Sequence, residues 1–248
     1  MKKLACLVVL VTAFLSLPAQ DAKPAETKKP KENVISSYRV FAKTGQDEAL
    51  KAALSAHAKK YHSGAHRWRV YSVLSGPDAG AYHIVEGPFS WTALDDRGDL
   101  SADHNKHYET TIAPLVEKTT SDVYLQYEEE LSTVQLTAFS TKASVTAVFP
   151  KPGRGPATRE VLKTLKKVWE KRGFNYAVYS SQMSGEPSYR LVRRFKAGWK
   201  DLDAEGVTQA QAMAELGLSN TEVQEDIAKV TERTYSEMIE LKPELGSN

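Results

Sequence analysis

Cysteine is almost absent from this chain, and histidine is absent from its second half. The one cysteine, Cys6, lies in an apolar N-terminal segment, and no histidine follows His107. A chain that loses Cys6 with that segment has no disulfide, no thiol nucleophile and no thiolate metal site. The sequence also lacks a phosphate-binding glycine loop and a dinucleotide-binding fingerprint. These absences exclude thiol chemistry and the common nucleotide-binding motifs.

Long apolar runs are absent apart from one near the N-terminus. Lys2 and Lys3 precede an uncharged run of 14 residues, Leu4–Leu17, and small residues follow as far as Ala19. A membrane-spanning helix needs roughly 20 apolar residues, whereas this layout is typical of a secretory signal peptide. We therefore expect residues 1–19 to be a cleaved signal peptide and the protein to be periplasmic or secreted, without a transmembrane segment.

The mature chain is predicted to be neutral. The sequence carries 33 basic and 31 acidic residues, and Lys2 and Lys3 of the leader account for the difference. A neutral chain lacks the basic surface of a nucleic-acid-binding protein, so we expect no nucleic-acid partner. The segment Gln20–Asn33 is polar and rich in lysine and proline. Because it has no large apolar residue to bury, residues 20–34 are predicted to be a disordered linker.

An internal repeat organises the remaining residues. A shift of 108 positions places Val40–Gly45 (VFAKTG) on Val148–Gly153 (VFPKPG), and Val70–Ser72 on Val178–Ser180. The match is nearly ungapped from residue 40 to residue 95 of the first copy. Self-similarity at a fixed offset indicates two copies of one structural unit.

Each copy has the same predicted order of elements. A strand ends in a glycine-containing turn and leads to an amphipathic helix, a β-hairpin, a second helix and a last strand, which is Tyr235–Leu241 in the second copy. This β-α-β-β-α-β order is that of the ferredoxin-like unit. We predict an α+β protein with ferredoxin-like repeats over residues 35–132 and 144–246, joined by a connector over 133–143. Because each sheet has helices on one face only, the bare faces are expected to meet as a barrel.

Residues 35–246 resemble the dimeric α+β barrel superfamily in its fused tandem form. The resemblance rests on the element order, the repeat and the fragments VFAKTG/VFPKPG and VYS. The superfamily includes cofactor-independent monooxygenases of the antibiotic-biosynthesis type, haem-degrading enzymes and haem-binding chlorite dismutases. In the dismutases, which are also tandem fusions, the axial histidine lies in the second copy. Because no histidine follows His107 here, no axial ligand can be assigned, and we expect no cofactor.

Strand alternation indicates a ligand site between the two sheets. Apolar residues that should pack on the helices alternate with His83 on one strand and Arg190 on another. An apolar pocket with a few converging polar groups is the usual form of a small-molecule site, although cationic side chains near a sheet edge can also reach water. The predicted pocket binds a small apolar or anionic ligand. Its candidate residues are His83, Tyr71, Tyr179, Arg69 and Arg190, with Phe41 and Phe149 as walls.

The other histidines form no recognisable metal-binding motif. His57 falls on the inner face of the first helix and is predicted to be a core residue. His62 and His66 would share a helix face only if that helix continued, and the glycine between them indicates that it ends. His104 and His107 could bind an ion together with the neighbouring aspartate. Two imidazoles without a third ligand favour a solvated helix face instead, so we assign no metal site.

Two functions remain open at this point. One is an exported protein that binds a small ligand between its sheets, or a protein partner. The other is a cofactor-independent monooxygenase or isomerase of the antibiotic-biosynthesis type, with His83 or a tyrosine as the acid–base group. A cavity lined by His83, Tyr71 and Arg190 would favour the enzyme, whereas an interior filled by Phe41 and Phe149 would favour binding through the outer surface. We assign no oligomeric state.

Overall fold

The computed structural model describes residues 29–97, 100–120, 123–204 and 206–247. The predicted signal peptide, and the predicted linker up to residue 28, lie outside these ranges. None of the helices in the described ranges has the length and apolar character needed to cross a bilayer.

The described residues form nine strands and six helices, connected by short 3₁₀ and π turns. The strands are β1 (Val34–Ala42), β2 (Trp68–Val73), β3 (Tyr82–Phe89), β4 (Val116–Thr119), β5 (Val123–Tyr127), β6 (Lys142–Pro150), β7 (Tyr176–Ser181), β8 (Ser188–Arg194) and β9 (Thr231–Leu241). The helices are α1 (Asp47–Tyr61), α2 (Trp91–Arg97), α3 (Ala102–His107), α4 (Gly155–Lys171), α5 (Gln209–Glu215) and α6 (Asn220–Val230).

Eight of the strands close into an antiparallel barrel. Their order is β1-β3-β2-β9-β6-β8-β7-β5, and β5 pairs again with β1. The short strand β4 pairs with the C-terminal end of β1 on the same side as β5. Two seams join the halves of the chain, β2 with β9 and β5 with β7. Closing the ring leaves none of these eight strands with a free edge. The predicted α+β barrel is therefore present, and the last strand begins at Thr231, earlier than predicted.

Alternation along the strands separates the barrel interior from the outer face. The interior cluster draws apolar side chains from both halves of the chain, including Ile35, Tyr71, Val145 and Ile239. Neighbouring residues on the same strands point outward. Helices cover outward residues such as Val70 and Val178, whereas Ser236 of β9 is exposed. The interior is therefore built jointly by the two halves.

The helices pack on the outside of the barrel through amphipathic faces. Leu50 and Leu54 of α1 are fully buried against strands β2 and β3. In α4, Leu162 and Trp169 pack on β7 and β8, and α5 and α6 form a further layer over the far side of α4. Spacings of three, four and seven residues place each buried set on one helix face. The helices support the barrel and leave its interior to the strand side chains.

Candidate functional site

A cavity of about 260 Å³ lies inside the barrel. It is lined by strands of both halves and by the connector after residue 132. Its surface is partly apolar, through residues such as Ile35, Val85, Val145 and Val192, and partly polar. The polar groups are contributed by Ser37, Arg39, Tyr71, Asp78, His83, Thr120, Ser140, Tyr179, Arg190, Arg194 and Tyr235.

Four of the five predicted ligand-site residues lie on this cavity. They are His83, Tyr71, Tyr179 and Arg190. Arg69 does not line it, because its guanidinium donates to the Gly87 carbonyl oxygen at 2.6 Å and covers the ring of Phe139 at 3.8 Å. Alternation along a strand fixes the face of a side chain, but it does not fix where a long side chain ends.

The predicted aromatic walls are wrong. Phe41 packs against the interior cluster beneath Lys118, and Phe149 lies under the guanidinium of Arg233 at 3.5 Å, so neither forms the cavity surface. Phe139 of the connector lines the cavity instead. The interior is thus not filled by the two phenylalanines that the repeat places at equivalent positions.

His83 is buried beside the cavity as a neutral imidazole. The Ser37 hydroxyl lies 2.6 Å from Nε2, and Nδ1 has no hydrogen-bond partner among the described residues. Burial, reinforced by the positive charges of Arg39 and Arg190, holds the pKa of His83 well below its ordinary value. A neutral imidazole with one uncommitted nitrogen can accept or relay a proton.

Arg39 and Glu237 form a buried ion pair that the sequence reasoning missed. Nη2 of Arg39 lies 2.5 Å from Glu237 Oε2, and Nη1 lies 3.1 Å from Asp78 Oδ2. Glu237 is 1% exposed, and desolvation raises the pKa of its carboxyl despite the neighbouring arginine. Both residues alternate with outward-facing neighbours on their strands. The alternation that identified His83 could therefore have found them.

Arg194 is committed to the connector. Its guanidinium donates to the carbonyl oxygens of Gln135, Leu136 and Ala138 at 2.7–3.1 Å and to the Tyr179 hydroxyl at 2.9 Å. These bonds hold the connector against the barrel through its residues 135–138. No local pattern in the connector signals this contact, since the groups that bind Arg194 are backbone carbonyls.

Arg190 differs from the other two cavity arginines because it is weakly paired. Its one hydrogen bond is a long contact of 3.5 Å to the Tyr189 carbonyl oxygen, and its guanidinium carbon lies 5.2 Å from the Phe149 ring centre. It forms no salt bridge with a carboxylate of the described chain. Burial lowers its pKa, although a guanidinium remains charged at physiological pH. Its charge is left available to a ligand.

The tyrosines supply neutral hydroxyl groups to the same space. Tyr71 and Tyr179 are both less than 10% exposed. Burial raises the pKa of Tyr71 to about 12 and that of Tyr179 above its ordinary value, so both phenols stay protonated. The cavity lining carries three guanidiniums and one carboxylate, that of Asp78. Glu237 pairs with Arg39 from outside the lining, so positive charge remains in excess.

A second cluster of titratable groups lies outside the barrel, against Trp68. His57 and His62 are at most 1% exposed, and the ring of His62 stacks on Trp68 at 3.9 Å. Helix α1 ends at Tyr61, as predicted. The solvated helix face predicted for His104 and His107 is wrong, because both are half-buried against α1.

The two buried histidines of this cluster are neutral at physiological pH. Burial, together with the neighbouring imidazoles, lowers the pKa of His57 to about 4 and that of His62 to about 2. His66 lies apart from the cluster, with its Nδ1 2.9 Å from the Glu86 carboxylate.

Comparison with known proteins shows similarity at the level of fold. No protein-family model matches the chain, and no curated protein matches it. A putative monooxygenase from Lactobacillus acidophilus has a similar structure, with a TM-score of 0.53 and 10% identity over 87% of this chain and 96% of that one. A putative monooxygenase from Fusobacterium nucleatum gives a TM-score of 0.55 and 12% identity over 84% and 91%. At such identities the likeness shows the fold alone, and that fold is the dimeric α+β barrel.

Proposed function

We propose that the barrel binds a small, flat, anionic ligand beside Arg190. The observation that carries this proposal is a guanidinium on a partly apolar cavity without a carboxylate partner. Taking such a charge out of water is costly unless an anion or a set of acceptors pairs with it. The cavity of about 260 Å³ is near the small end of ligand pockets and suits one or two rings.

The test compares 2-naphthoate with its neutral isostere 2-naphthamide by isothermal titration calorimetry. The wild-type chain should prefer the carboxylate, and Arg190→Met should lose that preference by about 10-fold or more, which is about 1.4 kcal/mol. Arg233→Met is the matched control, because Arg233 also covers Phe149 but does not line the cavity. Equal losses in the two variants, or no preference in the wild type, would refute the anion site.

A second candidate is a cofactor-independent oxygenase of the antibiotic-biosynthesis type, and His83 favours it. A neutral imidazole there could take a proton from an activated CH₂ group of the ligand, and the resulting enolate would lie near Arg190. Reaction with O₂ would then convert the CH₂ group to a carbonyl and release water. The similar structures from Lactobacillus acidophilus and Fusobacterium nucleatum support this candidate, because both proteins are described as putative monooxygenases.

Proton abstraction can be tested separately from ligand binding. The probe is 2-tetralone, and NMR in D₂O measures the exchange of its C1 hydrogens for deuterium. The wild-type chain should accelerate this exchange. His83→Gln should slow this exchange by about 100-fold or more, while 2-naphthoate still binds. If exchange is equally fast in His83→Gln, His83 is not the base that takes the proton. If the wild type binds 2-naphthoate but does not accelerate the exchange, the protein binds a ligand without catalysing proton transfer.

We also propose that the halves are ferredoxin-like repeats, over residues 35–132 and 144–246. The recurring strand orders β5-β1-β3-β2 and β9-β6-β8-β7 support this division. In each half, a long helix follows the first strand.

Export to the periplasm or the exterior is a further part of the proposal. It rests on Lys2, Lys3 and the apolar run before Ala19. Intact-mass measurement of the protein from its host should show a chain that begins at or near Gln20. A chain that retains residues 1–19 would contradict export by this route.

A further inference from the structure

The histidine cluster outside the barrel brings together groups that are far apart in the sequence. His57 lies in the last half of α1, His62 follows that helix, and His104 lies in α3. One ring nitrogen from each lies within 4.8 Å of the other two. The Ser101 hydroxyl accepts from the His104 backbone N–H at the start of α3 and fixes that turn.

The hydrogen bonds of two of these rings direct their lone pairs toward each other. His62 Nδ1 lies 3.2 Å from the His66 carbonyl oxygen, and His104 Nδ1 lies 2.9 Å from the Asn105 side-chain oxygen. Because both partners are acceptors, each Nδ1 carries the proton, and each Nε2 carries a lone pair. The two Nε2 atoms lie 3.3 Å apart. Two facing lone pairs at this distance repel each other unless a proton or a metal ion lies between them.

His57 can supply a third nitrogen. Its Nδ1 lies 3.1 Å from His107 Nδ1, and its buried Nε2 has no partner among the described residues. In the tautomer that carries the proton on Nδ1, the Nε2 lone pair of His57 is free to bind an ion. A buried nitrogen without a partner is costly, and an ion bound there would remove that cost.

The spacing fits a four-coordinate metal ion. Bonds of about 2.0–2.1 Å in tetrahedral geometry hold two ligand nitrogens about 3.4 Å apart. The Nε2 atoms of His62 and His104 already have this separation. The broad second side-chain torsion of histidine allows His57 to close the remaining distance.

We propose that His57, His62 and His104 form a binding site for one divalent transition-metal ion of the kind that prefers imidazole ligands, with Zn²⁺ as its representative. Three imidazoles suit zinc, copper or nickel and do not suit magnesium or calcium. The Asp103 carboxylate is not part of the site, because it is engaged by Tyr61 at 2.6 Å and Lys60 at 3.0 Å. The site is separate from the barrel cavity, so it does not depend on the proposed ligand.

The test is a titration of the full chain, freed of metal by a chelator, with Zn²⁺. Isothermal titration calorimetry should show one ion bound per chain. Thermal unfolding should show a higher melting temperature with Zn²⁺ than without it. His104→Gln should weaken binding by about 100-fold or more, and it changes a half-buried position rather than a core one. His66→Gln is the matched control, since the His66 ring pairs with Glu86 and is not a proposed ligand, while the His66 carbonyl oxygen that orients His62 is unchanged. This variant should bind Zn²⁺ as the wild type does.

Co²⁺ provides a measurement on the wild-type chain that does not depend on a variant folding. A nitrogen-rich four-coordinate site should give the intense visible absorption of tetrahedral Co²⁺, which Zn²⁺ then displaces. The weak absorption of a six-coordinate ion would contradict the site. So would equal Zn²⁺ affinity in the wild type and His104→Gln, or an equal loss in His66→Gln.

Discussion

Individual polar residues inside the barrel differ in how completely they are paired. Arg194 has four acceptors, and Arg39 has two carboxylates, whereas Arg190 has one long contact. Buried polar groups are normally satisfied, so the exceptions deserve an explanation. Arg190, which has one long contact, and His83, whose buried Nδ1 has no partner among the described residues, lie together on the cavity, and the proposed ligand binds between them.

The lowered pKa of His83 predicts how the stability of the fold depends on pH. In the unfolded chain this histidine takes up a proton below about pH 6.5, whereas in the folded chain it stays neutral to much lower pH. Its contribution is therefore fully present above pH 6.5 and is lost as the pH falls, by about 1.4 kcal/mol per pH unit. Urea unfolding between pH 6 and 4.5 should show a steeper loss for the wild type than for His83→Gln. Parallel curves would contradict the neutral, buried imidazole.

The ion pair of Arg39 and Glu237 predicts non-additive mutations. Glu237→Met should destabilise the fold by about 3–5 kcal/mol, because it leaves Arg39 buried with less compensation. The double variant Arg39→Met with Glu237→Met should recover most of that loss. Urea midpoints measure both effects. A double variant that is as unstable as the sum of its single variants would contradict the pairing.

Among the structural elements, the β2–β3 hairpin depends on its contact with β9. The Leu74 N–H donates to the Met238 carbonyl oxygen at 2.7 Å, and the Met238 N–H donates to the Ser75 hydroxyl at 3.0 Å. At Gly76, φ is +92°, and a Cβ would lie 2.7 Å from the Ser236 carbonyl oxygen. Only glycine tolerates both the positive φ and the close approach of β9.

Two glycines of this hairpin form a matched pair for testing that contact. Gly80 has nearly the same φ, +91°, but open space around its Cβ position. Gly80→Ala should cost about 1–2 kcal/mol from backbone strain alone. Gly76→Ala should cost about 1–3 kcal/mol more, because the strand must also move. Thermal unfolding of the two variants gives the difference. Equal losses of stability in the two variants would show that Gly76 is not in close contact with β9.

Patterns within one element were readable from the sequence, and contacts between elements were not. Alternation placed His83 and Arg190 on the inner face, and the glycine after His62 marked the end of α1. The connector carbonyls that hold Arg194 have no side-chain signature. The convergence of His104 with His62 depends on how α3 packs against α1, since the residues lie on separate elements.

At the scale of the whole molecule, the two halves share one interior. Strand β2 pairs with β9 and β5 pairs with β7, and the interior cluster joins Ile35 and Leu125 of the first half to Ala177 and Ile239 of the second. Either half alone would expose its interior face and two strand edges. Exposed edges and apolar faces drive association.

Expression of residues 29–141 alone should therefore give no stable monomer. We expect dimers or aggregates in light scattering coupled to size-exclusion chromatography, and no cooperative thermal transition at monomeric mass. The full chain serves as the control. A monomer of this fragment that unfolds cooperatively would show that the halves are independent domains, and it would weaken the case for a shared ligand cavity.

The most direct test of the central claim is a crystal structure of the protein with 6-bromo-2-naphthoate. The anomalous signal of bromine locates the ligand independently of any assumption about its pose. We predict one bromine site inside the barrel, with the carboxylate within hydrogen-bonding distance of Arg190 and the rings beside Tyr179. Bromine on the outer surface alone, with the interior free of ligand at saturating concentration, would contradict the account.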